Sequence, residues 1–599
     1  MCGIFGSTTS ESQIEADSAL LGLIHRGPDQ HMVLTTQFCA IAYTRLAIVN
    51  ENLPIHASVG CNENLTCFLN GEVYNFKKLR DSLVNLGHSI PEKYTDSDIL
   101  CHLYEEYGDF FPNYLDGMFS IVIHDKKTGE IKIFRDQMGI KPMYYKYRNE
   151  ELRFASEIKL LLASDEGNNK KNSNSLVDFF AFGYIPGPQT ISTEIFHIEP
   201  GGGIRYIKGE LNAFRWYQTK VKNKSFETEE GKISKLEELL TDSISQQLNH
   251  GVNPAILLSG GLDSSLLVAL ANKAGFRNLP TYHLTYPHDV SDKIIDTTYA
   301  RRVSQEFKTD LTEVTLTPET FFMELDNALD TFSQPFAGVL STYFIAKTIS
   351  NKHKICLTGD GADELFGSYK RIRLAAIEST KTGGTKRSLE ENLSGWLKQV
   401  HSISFDDTGM IRNTKNFISR NLDSGIKRMG NDEDSFNQNA FDFALTHDQK
   451  FLLPDLVLHF SDHLGMAHSL EIRPPFLSQE LIHFARNLDF SSLFSKEYET
   501  KYILKKLGEK FFPRDFVYRK KDGFALPLER WMRSQFGTSW IDEKLRNSVH
   551  KENTDSQSVL DFEKARKFVR DFQEAKHNDF YQVFKIGIFL RVFEKEYES

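Results

Sequence analysis

Two short segments of the chain contain the residue types from which reactive sites are built. Residues 259–265 read Ser-Gly-Gly-Leu-Asp-Ser-Ser, and the chain begins Met-Cys-Gly. The first segment lies between a predicted strand and a predicted helix and has the composition of a phosphate-binding loop. The second places the Cys2 thiol at the N-terminus once Met1 is removed. This pair of features predicts that one site handles ATP and that the other attacks an amide carbon.

The segment at 259–265 lacks the G-x-x-x-x-G-K-[ST] pattern of the Walker A loop. Its glycines let backbone N–H groups approach an anion closely, and a helix beginning near Ser264 directs its positive end at the phosphate. Asp263 suits this place if it holds Mg²⁺, which prefers carboxylate and phosphate oxygens. A turn that only caps a helix is the alternative, but a second acidic glycine turn at 358–364 favours a nucleotide site.

Cys2 can carry its own base, because an α-amino group has a pKa of about 7.7–8.0 and can accept the thiol proton. The alternative is an inert cysteine at a disordered chain end, which is the usual case for a lone cysteine at this position. The motifs that follow along the chain favour a nucleophile.

The composition is that of a globular protein. The 599 residues are 40% apolar and 25% charged, and two large domains suit this length. A net charge of −10 gives no support for a nucleic-acid partner, which would favour a basic surface. The six cysteines form no C-x-x-C pair, a usage typical of reduced thiols in a cytoplasmic protein. No apolar run approaches the roughly 20 residues that span a bilayer, and no basic start of a signal peptide is present, so membrane insertion is not predicted.

Three regions follow one another along the chain. Residues 1–210 contain short strand-like runs broken by Gly, Asn and Asp, and residues 211–231 are polar and predict a linker. Residues 232–599 begin with a helical pattern. Two buried strand patterns follow, the second within 354–369, and each precedes a glycine turn and a helix, which predicts a parallel sheet. The remainder is mostly helical, with a charged and weakly periodic segment at 376–440.

A series of motifs, in order along nearly the whole chain, resembles the glutamine-hydrolysing asparagine synthetase family. The motifs are MCGIFG (1–6), HRGPD (25–29), RLAIV (45–49), LNGEVYN (69–75), RDQMGIKPMYY (135–145), SEIK (156–159), FGYIPGPQTI (182–191), SGGLDSS (259–265), TGDGADELFGSY (358–369) and RKKDGF (519–524). The resemblance implies an α+β domain at 1–210, an N-terminal-nucleophile αββα glutaminase sandwich of the class II glutamine amidotransferases. It implies an α/β parallel-sheet domain of the ATP pyrophosphatase type at 232–599, with a helical C-terminal part.

For the first domain the resemblance implies that Cys2 attacks the glutamine side-chain amide and forms a glutamyl thioester. Asn70 and the Gly71 N–H match the family's oxyanion donors. Arg45 matches the residue that grips the substrate α-carboxylate, and Glu72 matches a partner for the α-ammonium. The accompanying backbone groups belong to Leu46, Ala47, Ile48 and Val49.

The remaining acidic contact to glutamine has two candidates. The family pattern S-D-x-E is replaced here by TDSD at 95–98. Counting back from Tyr104, which the family places at a fixed distance, favours Asp96 over Asp98 for the α-ammonium.

For the second domain the resemblance implies attack of a carboxylate on the α-phosphate of ATP, loss of pyrophosphate and capture of the acyl-adenylate by ammonia. Asp360 matches a carboxylate implicated in forming the adenylate or in deprotonating the ammonia nucleophile. Lys501 matches the lysine that neutralises departing pyrophosphate, and Asp263 and Asp363 are the candidate Mg²⁺ ligands. The other predicted ATP contacts are Leu258, Ser259, Gly260, Gly261, Ser264, Leu284, Thr358 and Gly359.

The predicted partners are glutamine, ATP and a carboxylate acceptor, with aspartate as the leading acceptor. Ammonia is expected to pass inside the protein, because free ammonia near pH 7 is mostly protonated and not nucleophilic. Two alternatives stay open. One is amidation of another carboxylate, such as a sugar acid of a surface polysaccharide, and the other is a non-catalytic binding or storage protein on the same fold. The oligomeric state also stays open, with a homodimer as one alternative.

One stretch of the C-terminal region departs from the family pattern. Residues 462–467 read DHLGMA where the family often has D-R-x-S-M-A, and the Asp that ends E-x-R-x-P-F-L-D is Ser478 here. These changes are predicted to lie where the acceptor binds, so they bear on the acceptor and not on the reaction type. His459 and His463 are four apart on a predicted helix, but no third ligand supports a zinc site.

Overall fold

Two antiparallel sheets of six strands each dominate the chain up to residue 217. The computed structural model describes residues 2–163, 170–217, 228–249, 252–287, 294–404, 409–429, 438–495, 499–519, 526–548 and 559–595. The strands of the two sheets are β1 (Cys2–Ser7), β2 (Gln30–Thr35), β3 (Ala40–Arg45), β4 (Ser58–Val59), β5 (Leu65–Val73), β6 (Gly117–Asp125), β7 (Ile131–Arg135), β8 (Tyr144–Arg148), β9 (Glu151–Ala155), β10 (Ile195–His197), β11 (Gly202–Ile207) and β12 (Glu210–Arg215). The spatial order is β10-β8-β9-β1-β3-β2 in one sheet and β12-β11-β7-β6-β5-β4 in the other.

The two sheets pack face to face between layers of helices. Five helices accompany them: α1 (Ser12–Leu23), α2 (Phe76–Asn85), α3 (Leu100–Tyr107), α4 (Ile158–Ala163) and α5 (Ser173–Phe182). The inner faces meet through side chains such as Ile4 and Phe68, while α1 covers the outer face of the first sheet and α2 and α3 cover that of the second. All six residues of β1 are buried because both faces of the strand are covered. This arrangement confirms the predicted αββα sandwich.

A five-stranded parallel sheet organises the second half of the chain. Its strands are β13 (Ala255–Leu257), β14 (Pro280–Thr285), β15 (Asp310–Thr315), β16 (Ile355–Leu357) and β17 (Glu471–Arg473), in the order β15-β14-β13-β16-β17. Residues of β13 alternate between faces, with Ala255 in one hydrophobic cluster and Ile256 in the other, as a strand covered on both sides requires. The predicted parallel α/β sheet is therefore confirmed. The order reverses between β13 and β16, and ligands of such sheets bind where the strand order reverses.

Helices cover both faces of this sheet and make up most of the C-terminal part. They are α6 (Glu229–Leu248), α7 (Leu262–Lys273), α8 (Ile294–Phe307), α9 (Pro318–Asp330), α10 (Ser341–Ile349), α11 (Ala362–Phe366), α12 (Lys370–Lys381), α13 (Leu389–Ser404), α14 (Phe417–Met429), α15 (Ala440–His447), α16 (Leu458–Met466), α17 (Gln479–Arg486), α18 (Phe490–Leu493), α19 (Tyr502–Gly508), α20 (Arg514–Val517), α21 (Leu528–Met532), α22 (Gln535–Asn547), α23 (Phe562–Gln573) and α24 (Phe580–Lys595). Among the helices that the structure describes, none has the length and apolar character to cross a membrane.

A ten-residue π-helix, Asp448–Val457, joins α15 to α16 in one continuous rod. Its turns are wider than those of an α-helix because its hydrogen bonds run from i to i+5. One side of it contributes Leu452 and Leu456 to the wall of a large cavity. Another side holds Asp455, which accepts hydrogen bonds from Arg428 and from the backbone N–H of Gly187. The segment therefore links the cavity wall to the N-terminal half of the chain.

The ends of the predicted linker at 211–231 belong to regular elements. Strand β12 continues to Arg215 and pairs along its length with β11, and helix α6 begins at Glu229 with Thr228 as its N-cap. Residues 218–227 lie outside the described residues. The charged segment at 376–440 contributes to helices α12, α13 and α14, and parts of it likewise lie outside the described residues.

Candidate active sites

A narrow cavity lies against β1, at the ends of β3 and β5, and brings together most of the residues predicted for glutamine. The predicted residues that line it are Cys2, Arg45, Leu46, Ile48, Val49, Gly71, Glu72 and Asp96, and the lining also includes Tyr43, Pro54, Ile55, His56, Leu69, Thr95 and Ser97. Ala47 lies outside the lining, and its N–H donates to Asp29 at 2.7 Å. Asn70 also lies outside the lining, and its Oδ1 accepts a hydrogen bond from the Cys2 N–H.

The Cys2 thiol is buried and held by a tyrosine. Its Sγ lies 3.0 Å from the hydroxyl of Tyr43, which donates its own proton to the carbonyl oxygen of Leu69 at 2.9 Å. The thiol must therefore act as the donor toward Tyr43. Burial raises the pKa of the Cys2 thiol above its ordinary value. A base is needed to convert such a thiol to the nucleophilic thiolate.

Asn70 and Gly71 flank the thiol on strand β5. The backbone N–H of Cys2 donates to Asn70 Oδ1 at 3.3 Å, and Asn70 Nδ2 lies 3.4 Å from Ser156 Oγ. These contacts fix the orientation of the Asn70 amide. Gly71 has φ of +145°, and a Cβ there would lie 1.9 Å from the carbonyl oxygen of Met118. Only glycine can occupy this position, so the Gly71 N–H is held in an orientation that other residues could not adopt.

Arg45 ends strand β3 directly opposite Cys2 in the strand pairing. Its Nη1 donates to Gln30 Oε1 at 3.0 Å and to the carbonyl oxygen of Leu53 at 2.8 Å, and its Nη2 donates to the carbonyl oxygen of Val49 at 2.7 Å. The guanidinium thereby tethers the loop that follows β3 and forms one wall of the cavity. A planar guanidinium beside an open cavity is also suited to bidentate binding of a carboxylate.

Two buried carboxylates line the same cavity as Arg45. Glu72 Oε2 lies 3.5 Å from Arg473 Nη2, and burial raises the pKa of Glu72 well above its usual range despite this cation. Asp96 Oδ2 accepts a hydrogen bond from the Val73 N–H at 3.0 Å, and burial raises the pKa of Asp96 to about 6. Both carboxylates are placed to attract a cationic group entering the cavity.

Asp98 faces away from this cavity. Its carboxylate completes a capping box with Thr95, accepting from the Thr95 N–H at 2.7 Å, and it contacts His56 Nε2 at 2.6 Å. Burial tends to raise the pKa of Asp98, but the contacts with His56 and Thr95 outweigh it and hold the pKa below its usual value. The structure therefore gives Asp98 a role in holding the segment that positions Asp96.

A cavity of about 600 Å³ opens at the carboxyl ends of β13 and β16, where the strand order reverses. The predicted residues that line it are Ser259, Asp263, Ser264, Thr358, Gly359, Asp360 and Asp363. Its opposite wall is mainly apolar and includes Ile345, Phe460 and Leu470. Two further predicted nucleotide contacts lie outside this lining: Leu258 directly follows β13, and Leu284 belongs to β14.

The loop after β13 has the geometry of an anion cradle. The Ser259 and Ser264 hydroxyls are 3.0 Å apart, and the Ser259 N–H donates to Ser264 Oγ at 3.1 Å. Gly260 has φ of +77°, and a Cβ there would lie 2.2 Å from the carbonyl oxygen of Asp296. Helix α7 begins at Leu262, two residues earlier than predicted. Ser264 is thus in the first turn, where N–H groups and the helix dipole favour an anion.

Lys501 brings the two predicted metal ligands together. Its ammonium donates to Asp263 Oδ2 at 2.7 Å and also contacts Asp363 Oδ1. Burial alone would lower the pKa of Lys501, but the two carboxylates outweigh burial and raise it. Two carboxylates that converge beside a phosphate-binding loop are a donor set suited to Mg²⁺ shared with a polyphosphate. The residues present therefore fit the predicted cation and the predicted lysine.

Asp360 lines the same cavity and is held by two hydroxyls. Thr358 Oγ1 and Ser461 Oγ donate to Asp360 Oδ2 at 2.9 and 2.7 Å. Burial raises the pKa of Asp360. Ser461 belongs to α16 and carries no signal in the sequence that would single it out. The structure adds it as a residue that positions Asp360.

The departures from the family pattern lie outside this cavity. Among the residues described, its lining does not include His463, Gly465 or Ser478. The His463 ring stacks on Phe332, with 5.6 Å between centroids, and Ser478 precedes helix α17 as its N-cap. The prediction that these changes line the acceptor pocket is therefore not supported by their positions.

The two cavities are connected by a buried ion cluster. Arg26 donates through Nε to the carbonyl oxygen of Cys2 at 3.2 Å, and through Nη1 to Glu157 at 2.8 Å. Its Nη2 donates to Asp462 at 2.8 Å, which also accepts from Lys141 at 3.2 Å. Asp462 is adjacent in sequence to the serine that holds Asp360. The sequence motifs HRGPD, SEIK and RDQMGIKPMYY supply three members of this cluster.

Comparison with known proteins finds family models that match both halves of the chain. The family model "Asparagine synthase" matches residues 235–594, which is more than half of the chain. The chain belongs to the asparagine synthase family. A second model, "Glutamine amidotransferase domain", matches residues 1–217. Members of the asparagine synthase family use glutamine, ATP and a carboxylate acceptor, and the chain is an amidotransferase-type enzyme of this kind.

Two relatives show how far this family resemblance extends. Asparagine synthetase [glutamine-hydrolyzing] 1 of Bacillus subtilis is 26% identical over 570 residues, which cover 90% of this chain and 87% of the relative. Putative asparagine synthetase [glutamine-hydrolyzing] 2 of Methanocaldococcus jannaschii is 29% identical over 401 residues, covering 62% of this chain and 76% of the relative. Among solved structures, the allosteric regulatory enzyme of purine biosynthesis matches 52% of this chain and 80% of its own at 15% identity, with a TM-score of 0.29.

Proposed function

We propose that this member of the asparagine synthase family converts aspartate to asparagine, taking nitrogen from glutamine and releasing AMP and pyrophosphate. The observation that carries the proposal is the presence of two differently equipped cavities in one chain. One contains a thiol, a guanidinium and two carboxylates, and the other contains an anion cradle and carboxylates, two of which are paired with Lys501. The first set suits an amino acid with a side-chain amide, and the second suits a nucleoside triphosphate.

In the first cavity, Cys2 would be the nucleophile after removal of Met1. Its freed α-amino group would take the thiol proton, because no other base lies within hydrogen-bond reach of Sγ among the contacts described. The thiolate attacks the glutamine amide carbon and ammonia leaves, giving a thioester that water hydrolyses to glutamate. Asn70 Nδ2 and the Gly71 N–H would stabilise the oxyanion of each tetrahedral state.

The charges around the thiol would orient the substrate. Arg45 would bind the α-carboxylate, assisted by backbone groups of Leu46 to Val49. Glu72 and Asp96 would bind the α-ammonium, and its arrival would favour ionisation of both carboxylates, whose pKa values are raised by burial in its absence. A cation and two carboxylates in one cavity suit the dipolar end of a free amino acid.

In the second cavity, the acceptor carboxylate attacks the α-phosphorus of ATP and pyrophosphate leaves, giving an acyl-adenylate. Ser259, Gly260, Gly261 and Ser264 would cradle phosphate oxygens, and Lys501 would offset charge on the leaving pyrophosphate. Mg²⁺ held by Asp263 and Asp363 would supply further neutralisation of the polyphosphate. Asp360 would accept a proton as ammonia attacks the acyl carbon and AMP leaves, a role that suits its raised pKa.

The acceptor is the part of this proposal that a direct experiment must decide. The full-length enzyme would be supplied with ATP, Mg²⁺ and ammonium, and AMP release would be measured with aspartate, glutamate and a panel of uronic and nucleotide-linked sugar acids. Asparagine formed in equal amount with AMP, at an aspartate KM of about a millimolar or below, is the expected result. AMP release that depends on a sugar acid and not on aspartate would transfer the assignment to that acid.

The same panel of acids distinguishes a wrong acceptor assignment from a wrong reaction class. If the enzyme hydrolyses glutamine but releases AMP with none of the acids, only the glutaminase part of the proposal is supported. Absence of both activities would favour the non-catalytic alternative on the same fold.

A further inference from the structure

Four side chains with metal-binding atoms converge on the outer side of the second sheet, away from both cavities. They are Cys61 in the loop between β4 and β5, His88 after helix α2, and His102 and Glu105 on helix α3. The donor atoms of all four lie within 4.8 Å of one another. The three segments that carry them are brought together only by the fold.

The distances between these donor atoms are those of a tetrahedral metal site. His88 Nδ1 and His102 Nδ1 are 3.2 Å apart, and Cys61 Sγ lies 3.6 and 3.5 Å from them. Glu105 Oε2 lies 3.7 Å from each of the same two nitrogens. Bonds of about 2.0–2.3 Å at tetrahedral angles place neighbouring donors about 3.3–3.6 Å apart. A single ion at the centre would therefore reach all four atoms with little movement.

Electrostatics in the cluster also favour a cation at its centre. Two imidazole nitrogens, a sulfur and a carboxylate oxygen point at one another, and few protons are available to separate them. A divalent cation satisfies all four groups at once.

Outer contacts hold two of the four ligands in place. The backbone N–H groups of Cys61 and Asn62 donate to the Glu105 carboxylate at 3.1 and 2.6 Å. His88 Nε2 lies 3.3 Å from Glu106 Oε2, so that Nδ1 of the same ring is left to face the cluster. A carboxylate on the far nitrogen of a histidine is the usual support for a metal-ligating ring.

We propose that Cys61, His88, His102 and Glu105 bind one zinc ion with a structural role. A thiolate with two imidazoles selects a borderline-soft ion such as Zn²⁺ over Mg²⁺ or Ca²⁺. Four protein ligands leave no open position for a substrate, which is the pattern of structural zinc sites. The ion would fasten the loop after β4 to helix α3, directly after the segment that carries Asp96.

The experiment measures metal directly and does not depend on the proposed reaction. Full-length wild-type protein is stripped with a chelator, given a small excess of Zn²⁺ or Co²⁺, and freed of unbound metal before its metal content is measured. The variants Cys61→Ser and His102→Gln each remove one ligand. Cys39→Ser is the matched control, because the Cys39 thiol contacts Thr36 and His124 and lies outside the cluster.

The wild type and Cys39→Ser should retain one equivalent of zinc. Each ligand variant should lose affinity by at least the roughly 10–100-fold that removal of an outer partner alone costs. The cobalt form should show a thiolate-to-cobalt charge-transfer band that Cys61→Ser lacks, and zinc should raise the melting temperature of the wild type and of Cys39→Ser but not that of the ligand variants. Substoichiometric zinc in the folded wild type, or equal zinc content in all four proteins, would overturn the proposal.

Discussion

Arg26 and Asp462 form a salt bridge of 2.8 Å in which neither side chain is accessible to solvent beyond 1%. The two residues are 436 positions apart in the sequence. Arg26 also holds the backbone carbonyl of Cys2, and Asp462 follows Ser461, which holds Asp360. One buried ion pair therefore touches the nucleophile's strand on one side and the helix beside the nucleotide cavity on the other.

The first prediction concerns the stability that this ion pair provides. Asp462→Asn should destabilise the protein by about 3–5 kcal/mol, because it leaves Arg26 and Lys141 buried with less compensating charge. Unfolding by urea, followed by tryptophan fluorescence, measures the change. The control is Glu313→Gln, which removes an exposed partner of Arg301 and should cost less than about 1 kcal/mol.

The same variant should also separate the two activities. We expect glutamine-dependent synthesis by Asp462→Asn to fall more than ammonium-dependent synthesis. The substitution weakens the contact between the two sites but leaves the reactive side chains of each site unchanged. Equal unfolding midpoints for Asp462→Asn and Glu313→Gln would show that the ion cluster around Arg26 does not stabilise the contact between the two sites.

The second prediction concerns the nucleophile. Cys2→Ala should lower glutaminase turnover by orders of magnitude and leave synthesis from ammonium salts intact, because the thiol and the nucleotide loop lie in separate cavities. Glutamate and AMP are measured separately with each nitrogen source. Cys39→Ser serves as the control for loss of a buried thiol elsewhere. If both nitrogen sources fail equally in Cys2→Ala, the two-site interpretation is wrong.

The third prediction concerns the charges around the nucleotide. Asp263→Asn and Lys501→Ala should each abolish most AMP and pyrophosphate formation and spare glutamine hydrolysis, because Lys501 and the two carboxylates form one mutually dependent cluster. Lys505→Ala, in helix α19 directly after Lys501 but paired with Glu499, is the control and should retain synthesis. Release of ADP and phosphate by the wild type, in place of AMP and pyrophosphate, would contradict the mechanism itself.

The fourth prediction is a pH dependence that distinguishes Asp96 from Asp98. The pKa of Asp96 is raised to about 6, so its carboxylate is present above that pH and is lost as the pH falls through it. The kcat/KM for glutamine, which reports the free enzyme, should therefore fall with an additional unit slope below about pH 6. The pKa of Asp98 lies below its ordinary value, so Asp98 cannot produce a break at this pH.

Two variants check the assignment of that break. Asp98→Asn should keep it, whereas Asp96→Asn should raise the KM for glutamine and remove it. A profile that stays level between pH 7 and pH 5 after allowance for the α-amino group would exclude Asp96 as the α-ammonium partner.

Much of the fold could be predicted from the sequence because the informative segments are local. Strands such as β5 and β6 contain short apolar stretches, CFL and IVI, and the loop after β13 combines its glycines, serines and Asp263 within seven residues. The sequence does not predict strand β17, since three residues with Glu and Arg at their ends do not form a strand pattern. It is held in the sheet by pairing with β16 and by Arg473, which contacts Glu471 within the strand.

Contacts between residues that are far apart in the sequence could not be predicted from the sequence. Cys61, His88 and His102 have no regular spacing, and only the packing of α2 and α3 against the sheet brings them together. Ser461 and Tyr43 are likewise ordinary residues in the sequence, and their roles come from the groups opposite them. His463 was assigned to an acceptor pocket on sequence grounds, but stacking on Phe332 keeps it in the core.

The number of residues in the π-helix Asp448–Val457 determines how the residues of the following helix α16 are oriented toward both sites. Each residue added to or removed from a helix rotates everything after it by about 100°. Insertion or deletion of one residue that left the π-helical turns of this segment unchanged would turn Ser461 away from Asp360 and Asp462 away from Arg26 together. An insertion or deletion that a surface loop would tolerate should therefore not be tolerated here. The number of residues in this segment sets the positions of Ser461 and Asp462 at the same time.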